Sequence, residues 1–160
     1  MEVSVSFLSS NNPAKDIKLL NDTDCDFIHV DIMDGKFVKN KTMPFREMRK
    51  ISKYTDKRLD VHLMEANPLK NINLYAALNT ECITIHVELK EVSKYLELIK
   101  KYGIKCGLAI NPDTDIMTLK PYLDIIDIII VIIVLQMYQV SSAQMRQTGL
   151  QYQIRMAMER

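Results

Sequence analysis

The chain has 160 residues, enough for one domain with a sizeable core. Its 21 Lys and Arg balance 20 Asp and Glu, and no basic cluster is interleaved with aromatics. That balance argues against nucleic acid or an anionic membrane surface as a partner.

Val3 to Leu8 reads as a first strand, reached without the basic segment and long apolar stretch of a secretory signal. Asn12-Pro13 supplies an N-cap and a first helical residue for a helix to about Asn21. Phe27 to Met33 is a second strand, and Pro44 opens a basic amphipathic helix to about Tyr54. A third strand covers Leu59 to Met64, and Asn67-Pro68 caps a helix ending near Asn79. Cys82 to Val87 is a fourth strand, followed by a helix from Glu91 to Tyr102 with Gly103 at its left-handed C-terminal position. Lys105 to Ile110 makes a fifth strand, and Asp113 to Leu123 a short helix broken or bent at Pro121. Ile125 to Leu135 holds a sixth strand, apolar enough to be buried on both faces and too short for a membrane helix, which needs about 20 residues. Cys25, Cys82 and Cys106 are odd in number, widely spaced and in no Cys-x-x-Cys arrangement; they read as reduced, partly buried thiols of a cytoplasmic protein.

Alternating strands and helices imply βαβ units and a parallel sheet. A dinucleotide fold would carry a glycine-rich turn after its first strand, where Ser9-Ser-Asn-Asn12 stands instead. The polar residues fall at the ends of several strands, which is the habit of a (β/α) barrel. The second strand puts Ile28, Val30 and Ile32 on one face and His29, Asp31 and Met33 on the other. The third repeats the design, with Asp60, His62 and Met64 in register. Imidazole and carboxylate can hold a metal or move a proton, so the two strands point to one shared site. The third histidine of the chain, His86, also ends an apolar run. Ser6 and Asn111 sit at strand ends as well.

These residues resemble the ribulose-phosphate 3-epimerase family of phosphate-binding TIM barrels. The likeness is carried in order by Ser6-Phe-Leu-Ser9, His29-Val-Asp-Ile-Met-Asp-Gly35 and Asp60-Val-His-Leu-Met64. Asn67-Pro68, Thr84-Ile-His86 with Glu88, and Asn111-Pro112 with Thr114 continue it, from about residue 3 to about residue 133. The resemblance implies a metal-dependent 3-epimerase interconverting D-ribulose 5-phosphate and D-xylulose 5-phosphate in pentose-phosphate metabolism, by proton transfer through an enediolate. It implies His29, Asp31 and His62 as ligands of one divalent metal ion, with Asp31 also an acid/base group. Zn, Fe, Mn or Co would suit that donor set. Ser6 and His62 would contact a phosphorylated ketose, and Met33, Met64, His86 and Asn111 would line the site. His86 stays open between supporting the ligands and filling the barrel, and Asp34 is expected to shape the loop with Gly35. A homo-oligomer is left open. An epimerase acting on allulose 6-phosphate, or a non-catalytic binding or assembly subunit keeping a partial metal site, are the alternatives.

The likeness covers about six of the eight β/α units of a TIM barrel, giving a partial barrel domain at 1–135 and a divergent tail at 136–160, helical or disordered. Every Gln lies at or after Gln136 and no Lys follows Lys120. That shift points to an altered reading frame or a junction to unrelated sequence, against a genuine tail. The family's glycine-rich phosphate loop and its second acid/base Asp have no counterpart. The expectation is an unclosed sheet with edges at its first and sixth strands, and a poor catalyst or none.

Overall fold

The computed structural model describes residues 2–133 and the strand Tyr152–Ala157. Strands β1 (Ser4–Ser6), β2 (Phe27–Met33), β3 (Arg58–Met64), β4 (Thr80–His86), β5 (Lys105–Ile110) and β6 (Ile128–Ile133) lie side by side in chain order, all parallel. A doubly wound sheet would reverse its strand order at a switch point; this one never does. Its consecutive crossovers run through α1 (Pro13–Leu20), α2 (Phe45–Ile51), α3 (Leu69–Ala76) and α4 (Val92–Lys101), and the sheet curls into part of a barrel. The expected partial TIM-barrel class is the observed one.

Two side-chain layers follow from strand alternation. Ile28, Val30, Ile32, Val61, Leu63, Ile83, Ile85 and Leu108 project into one apolar layer. There they join Ile17, Met48, Ile72, Leu96 and Ile99 from α1 to α4. Each helix thus covers the sheet with one apolar stripe. The other face is different in kind. In its first part it carries Ser4, His29, Asp31, Asp60 and His62, and toward β6 it becomes the small apolar cluster of Cys82, Ala109, Ile128 and Ile130.

Local signals explain the element ends. The Asn12 side chain accepts from the Lys15 amide at 3.2 Å to cap α1. Asn67 Oδ1 accepts from the Leu69 amide at 3.3 Å before α3. Gly103, after α4, has φ +71°, which suits glycine best. The segment before β6 differs from expectation: Ile116–Tyr122 is a 3-10 helix, not a bent α-helix. Pro121 has no amide hydrogen and its ring would strike the carbonyl four residues back, so an α-helical ladder cannot run through it.

The far edge of β6 is paired, where an open edge was expected. Tyr152–Ala157 forms β7, antiparallel to β6 with Ile128 opposite Ala157 and Ile133 opposite Tyr152. For those six residues a strand replaces the helix or disorder expected of the tail, because an unpaired parallel edge offers a row of free amides and carbonyls. The rest of the tail, with residues 134 and 135 of the expected sixth strand, lies outside the described residues. Among the described residues, no helix is long and apolar enough to cross a membrane.

Close packing limits side-chain size where β4 meets β5. Thr84 is fully buried opposite Gly107, and a Cβ on Gly107 would lie 3.2 Å from Thr84 Cβ and closer still to its hydroxyl. Gly107→Ala is therefore expected to destabilise the fold by about 1–3 kcal/mol, read as a lower urea midpoint. In a Thr84→Ala background most of that loss should vanish; an equal loss in both backgrounds would show that the contact is not its cause.

Candidate metal centre

Register brings the polar residues together. Asp31 of β2 stands opposite His62 of β3, His29 opposite Asp60, and Met33 opposite Met64. Parallel strands paired without a slip place side chains of equal parity on one face, so two separate motifs become one row. His29 Nε2 lies 3.2 Å from Asp31 Oδ1, and His62 Nδ1 lies 3.3 Å from the same oxygen. One donor atom each from His29, Asp31 and His62 falls within a 4.8 Å spread, and all three residues are buried. The expected ligand trio is thus assembled in space.

The rest of the row supports these three. His29 Nδ1 is 2.9 Å from Asp60 Oδ2, and Asp60 also accepts from the Ser4 hydroxyl at 2.8 Å. His62 Nε2 lies 3.0 Å from His86 Nε2, and His86 Nδ1 lies 3.1 Å from Glu88 Oε2. Glu88 Oε1 accepts from the Asn111 amide at 2.8 Å and from the Thr114 hydroxyl at 2.7 Å. A chain of contacts therefore crosses four strands, from Ser4 through the trio to the loop after β5. Asp60 and Glu88 went unassigned in the sequence. The signal was there: Asp60 shares the parity of His62, and Glu88 that of His86.

Other expected site residues hold outer places. Met33 and Met64 are 6% and 2% exposed beside the trio. Ser6 is exposed and paired with His29 in the ladder, and its hydroxyl accepts from the Leu8 amide at 3.2 Å, so it lies outside the trio. Asn111 enters through its backbone amide. Asp34 shapes the loop as expected: it accepts from the Lys36, Phe37 and Ala66 amides at 2.7, 2.8 and 2.9 Å, and Gly35 follows with φ +75°. That loop sets the Phe37 ring against His86, with centroids 4.6 Å apart. A cavity of about 220 Å³ opens beside His29 and Asp31, with Phe7, Ser10, Lys41 and Thr42 among its walls.

The electrostatics follow from burial set against pairing. Burial would lower the His29 pKa, but its bonds to Asp31 and Asp60 outweigh that and raise it to about 10. Burial would raise the Asp31 pKa, yet His29 and His62 hold that carboxyl well below the usual range. His62 moves the other way: full burial pushes it down, and neighbouring His86 adds to this against the pull of Asp31. For Glu88, burial would raise the pKa, but hydrogen bonds from His86, the Asn111 amide and Thr114 bring it to about 2.

Because the folded Glu88 pKa lies below its unfolded value of 4.5, its contribution to stability is complete above about pH 4.5 and is lost as pH falls toward about 2. Relative to a Glu88→Gln variant, the wild-type chain should lose about 1–2 kcal/mol across that window, after allowance for solvent screening of a partly exposed group. Urea titrations of both proteins at a series of acid pH values check this, and a difference that does not change with pH would refute it.

The profile of the Ribulose-phosphate 3 epimerase family matches residues 2–137. A ribulose-phosphate 3-epimerase of Chlamydia pneumoniae is 39% identical over 112 residues, covering 69% of this chain and 49% of the relative. One of Helicobacter pylori is 37% identical over 131 residues, covering 80% of this chain and 59% of the relative. The chloroplastic ribulose-5-phosphate-3-epimerase of Arabidopsis thaliana is 32% identical over 131 residues, 79% of this chain and 47% of its own length. The chain thus spans about half to three-fifths of the length of these curated relatives. With the match running through every strand that bears the His-Asp-His row, the chain belongs to the ribulose-phosphate 3 epimerase family.

Proposed function

We propose that this chain carries the metal-holding part of a sugar-phosphate 3-epimerase that interconverts D-ribulose 5-phosphate and D-xylulose 5-phosphate. The observation that supports this most is a single carboxylate oxygen, Asp31 Oδ1, flanked by one nitrogen each of His29 and His62 at 3.2 and 3.3 Å. Two imidazoles and a carboxylate suit a divalent ion such as Zn, Fe, Mn or Co. Three protein donors beside a cavity resemble a catalytic site more than a closed structural one. Three buried cysteines, none of them in a disulfide, fit a reducing, cytoplasmic setting.

Epimerisation at the carbon beside a ketone removes one proton and returns another to the opposite face. A divalent cation held by His29, Asp31 and His62 would supply Lewis-acid stabilisation of the negative charge left on the ketose oxygens. The chain's own groups do the rest. Asp31 is ionised at neutral pH, so one of its oxygens can take the proton and give it back. Ser6, exposed at the end of β1, would contact the phosphorylated ketose beside His62. Met33 and Met64 exclude water from the reacting face. Asp31 is the one carboxylate in the trio among the described residues, and return of a proton to the other face needs a second acid/base group.

Deuterium exchange at carbon 3 of D-ribulose 5-phosphate, followed by NMR in heavy water with added divalent metal, tests the first half of the reaction by itself. Exchange should depend on the metal and fall by about 10²-fold or more in Asp31→Asn. A folded, metal-loaded chain giving no exchange would refute the reading, and exchange of allulose 6-phosphate in preference would redirect it to a ketohexose. Metal binding should also tighten with pH. His29 holds a proton up to about pH 10 in the metal-free chain and must release it to bind, so the apparent Kd should fall roughly tenfold per pH unit between pH 6 and 8. Calorimetry in buffers of different ionisation enthalpy would report the proton released; a flat profile would remove His29 from the ligand set.

A further inference from the structure

We propose that Glu88 and His86 are positioning residues that fix the tautomer of His62 in the metal-loaded chain, so that its Nδ1 lone pair is the one directed at a metal held beside Asp31. The inference rests on the metal reading of His29, Asp31 and His62.

The argument runs inward from Glu88. Its Oε1 already accepts two hydrogen bonds, from the Asn111 amide and the Thr114 hydroxyl, while Oε2 lies 3.1 Å from His86 Nδ1. An ionised carboxylate only accepts, so the hydrogen in that contact belongs to His86 Nδ1. When His86 carries only that hydrogen, its lone pair is on Nε2, which lies 3.0 Å from His62 Nε2. The hydrogen between the two rings must therefore be the one on His62 Nε2. That leaves His62 Nδ1 with a lone pair facing Asp31 Oδ1 at 3.3 Å. His62 and His86 are 0% and 1% exposed, with their rings nearly stacked at 5.0 Å and 17°. Phe37 covers the second ring, so neither can readily turn to exchange its nitrogens. A metal-bound imidazole commonly has its orientation set through its other nitrogen; here that hold is passed through a second imidazole to a carboxylate.

Glu88→Gln tests this without changing shape. The Asn111 and Thr114 donors keep an acceptor at the Oε1 position, so the Gln carbonyl takes that place and its NH₂ replaces Oε2. A donor then faces His86 Nδ1. His86 must carry its hydrogen on Nε2, and His62 must carry its own on Nδ1, where the metal would bind. Co²⁺ affinity at neutral pH should drop about 10–100-fold in Glu88→Gln, with the circular dichroism spectrum unchanged. Glu88→Ala, although it removes more contacts, should lose less, because it imposes no donor. In the Zn²⁺-loaded wild-type chain, histidine ¹⁵N spectra should place hydrogen on His86 Nδ1 and on His62 Nε2. Glu88→Gln binding Co²⁺ within about threefold of a tightly binding wild type, a larger loss in Glu88→Ala than in Glu88→Gln, or the opposite His86 tautomer would each overturn the inference alone. A wild-type chain that binds no Co²⁺ would overturn the metal reading and the inference with it.

Discussion

The two contacts made by Asp31 Oδ1, to His29 and to His62, are the interaction on which the interior of this molecule depends. They exist because β2 and β3 pair in parallel with no slip from Phe27 opposite Arg58 to Met33 opposite Met64. A slip of one residue would turn Asp31 and His29 into the layer under the helices and bring Ile28, Val30 and Ile32 to the other face. The apolar residues prevent that slip. Ile28, Val30, Ile32, Val61 and Leu63 are nearly or fully buried against the helices, and exposing even one large side chain costs about 1.5–3 kcal/mol. The hydrophobic layer thereby sets the register of the polar one.

Burying so many ionisable groups is costly unless each finds a partner. Here the two imidazoles nearest Asp31 are each held on their far side: His29 by Asp60, with Ser4 behind it, and His62 by His86, with Glu88 behind that. Carboxylates close both ends of the row. Since they accept and do not donate, they hold a hydrogen on the outward nitrogen of each ring they touch, His29 Nδ1 and His86 Nδ1. Removing one member of such a row costs more than its own contact, because its neighbour is left buried with an unmet polar atom.

Much of this was legible in the residues. Alternation along Phe27 to Met33 and Leu59 to Met64 gave the strands and faces of the trio, and caps such as Asn12 and Gly103 gave helix ends. The parts not foreseen are those that depend on distance across the sheet. Asp60 was visible as a carboxylate in register with His62, yet its partner is His29 on the neighbouring strand. Glu88 sits in a loop after β4, and it matters because the chain after β5 returns the Asn111 amide and Thr114 to it, 23 and 26 residues later. The pairing of β6 with Tyr152–Ala157 was likewise hidden, since an edge strand recruits partners through backbone groups that every sequence shares.

By itself, then, the sequence determined the order of strands and helices, the faces of each strand and the chemistry of the central trio, because side-chain periodicity is a local property of the backbone. Only the tertiary structure decided which nitrogen of each imidazole faces Asp31 and which side chain holds the other. That choice rests on angstrom-scale separations between strands, and no spacing along the chain encodes them.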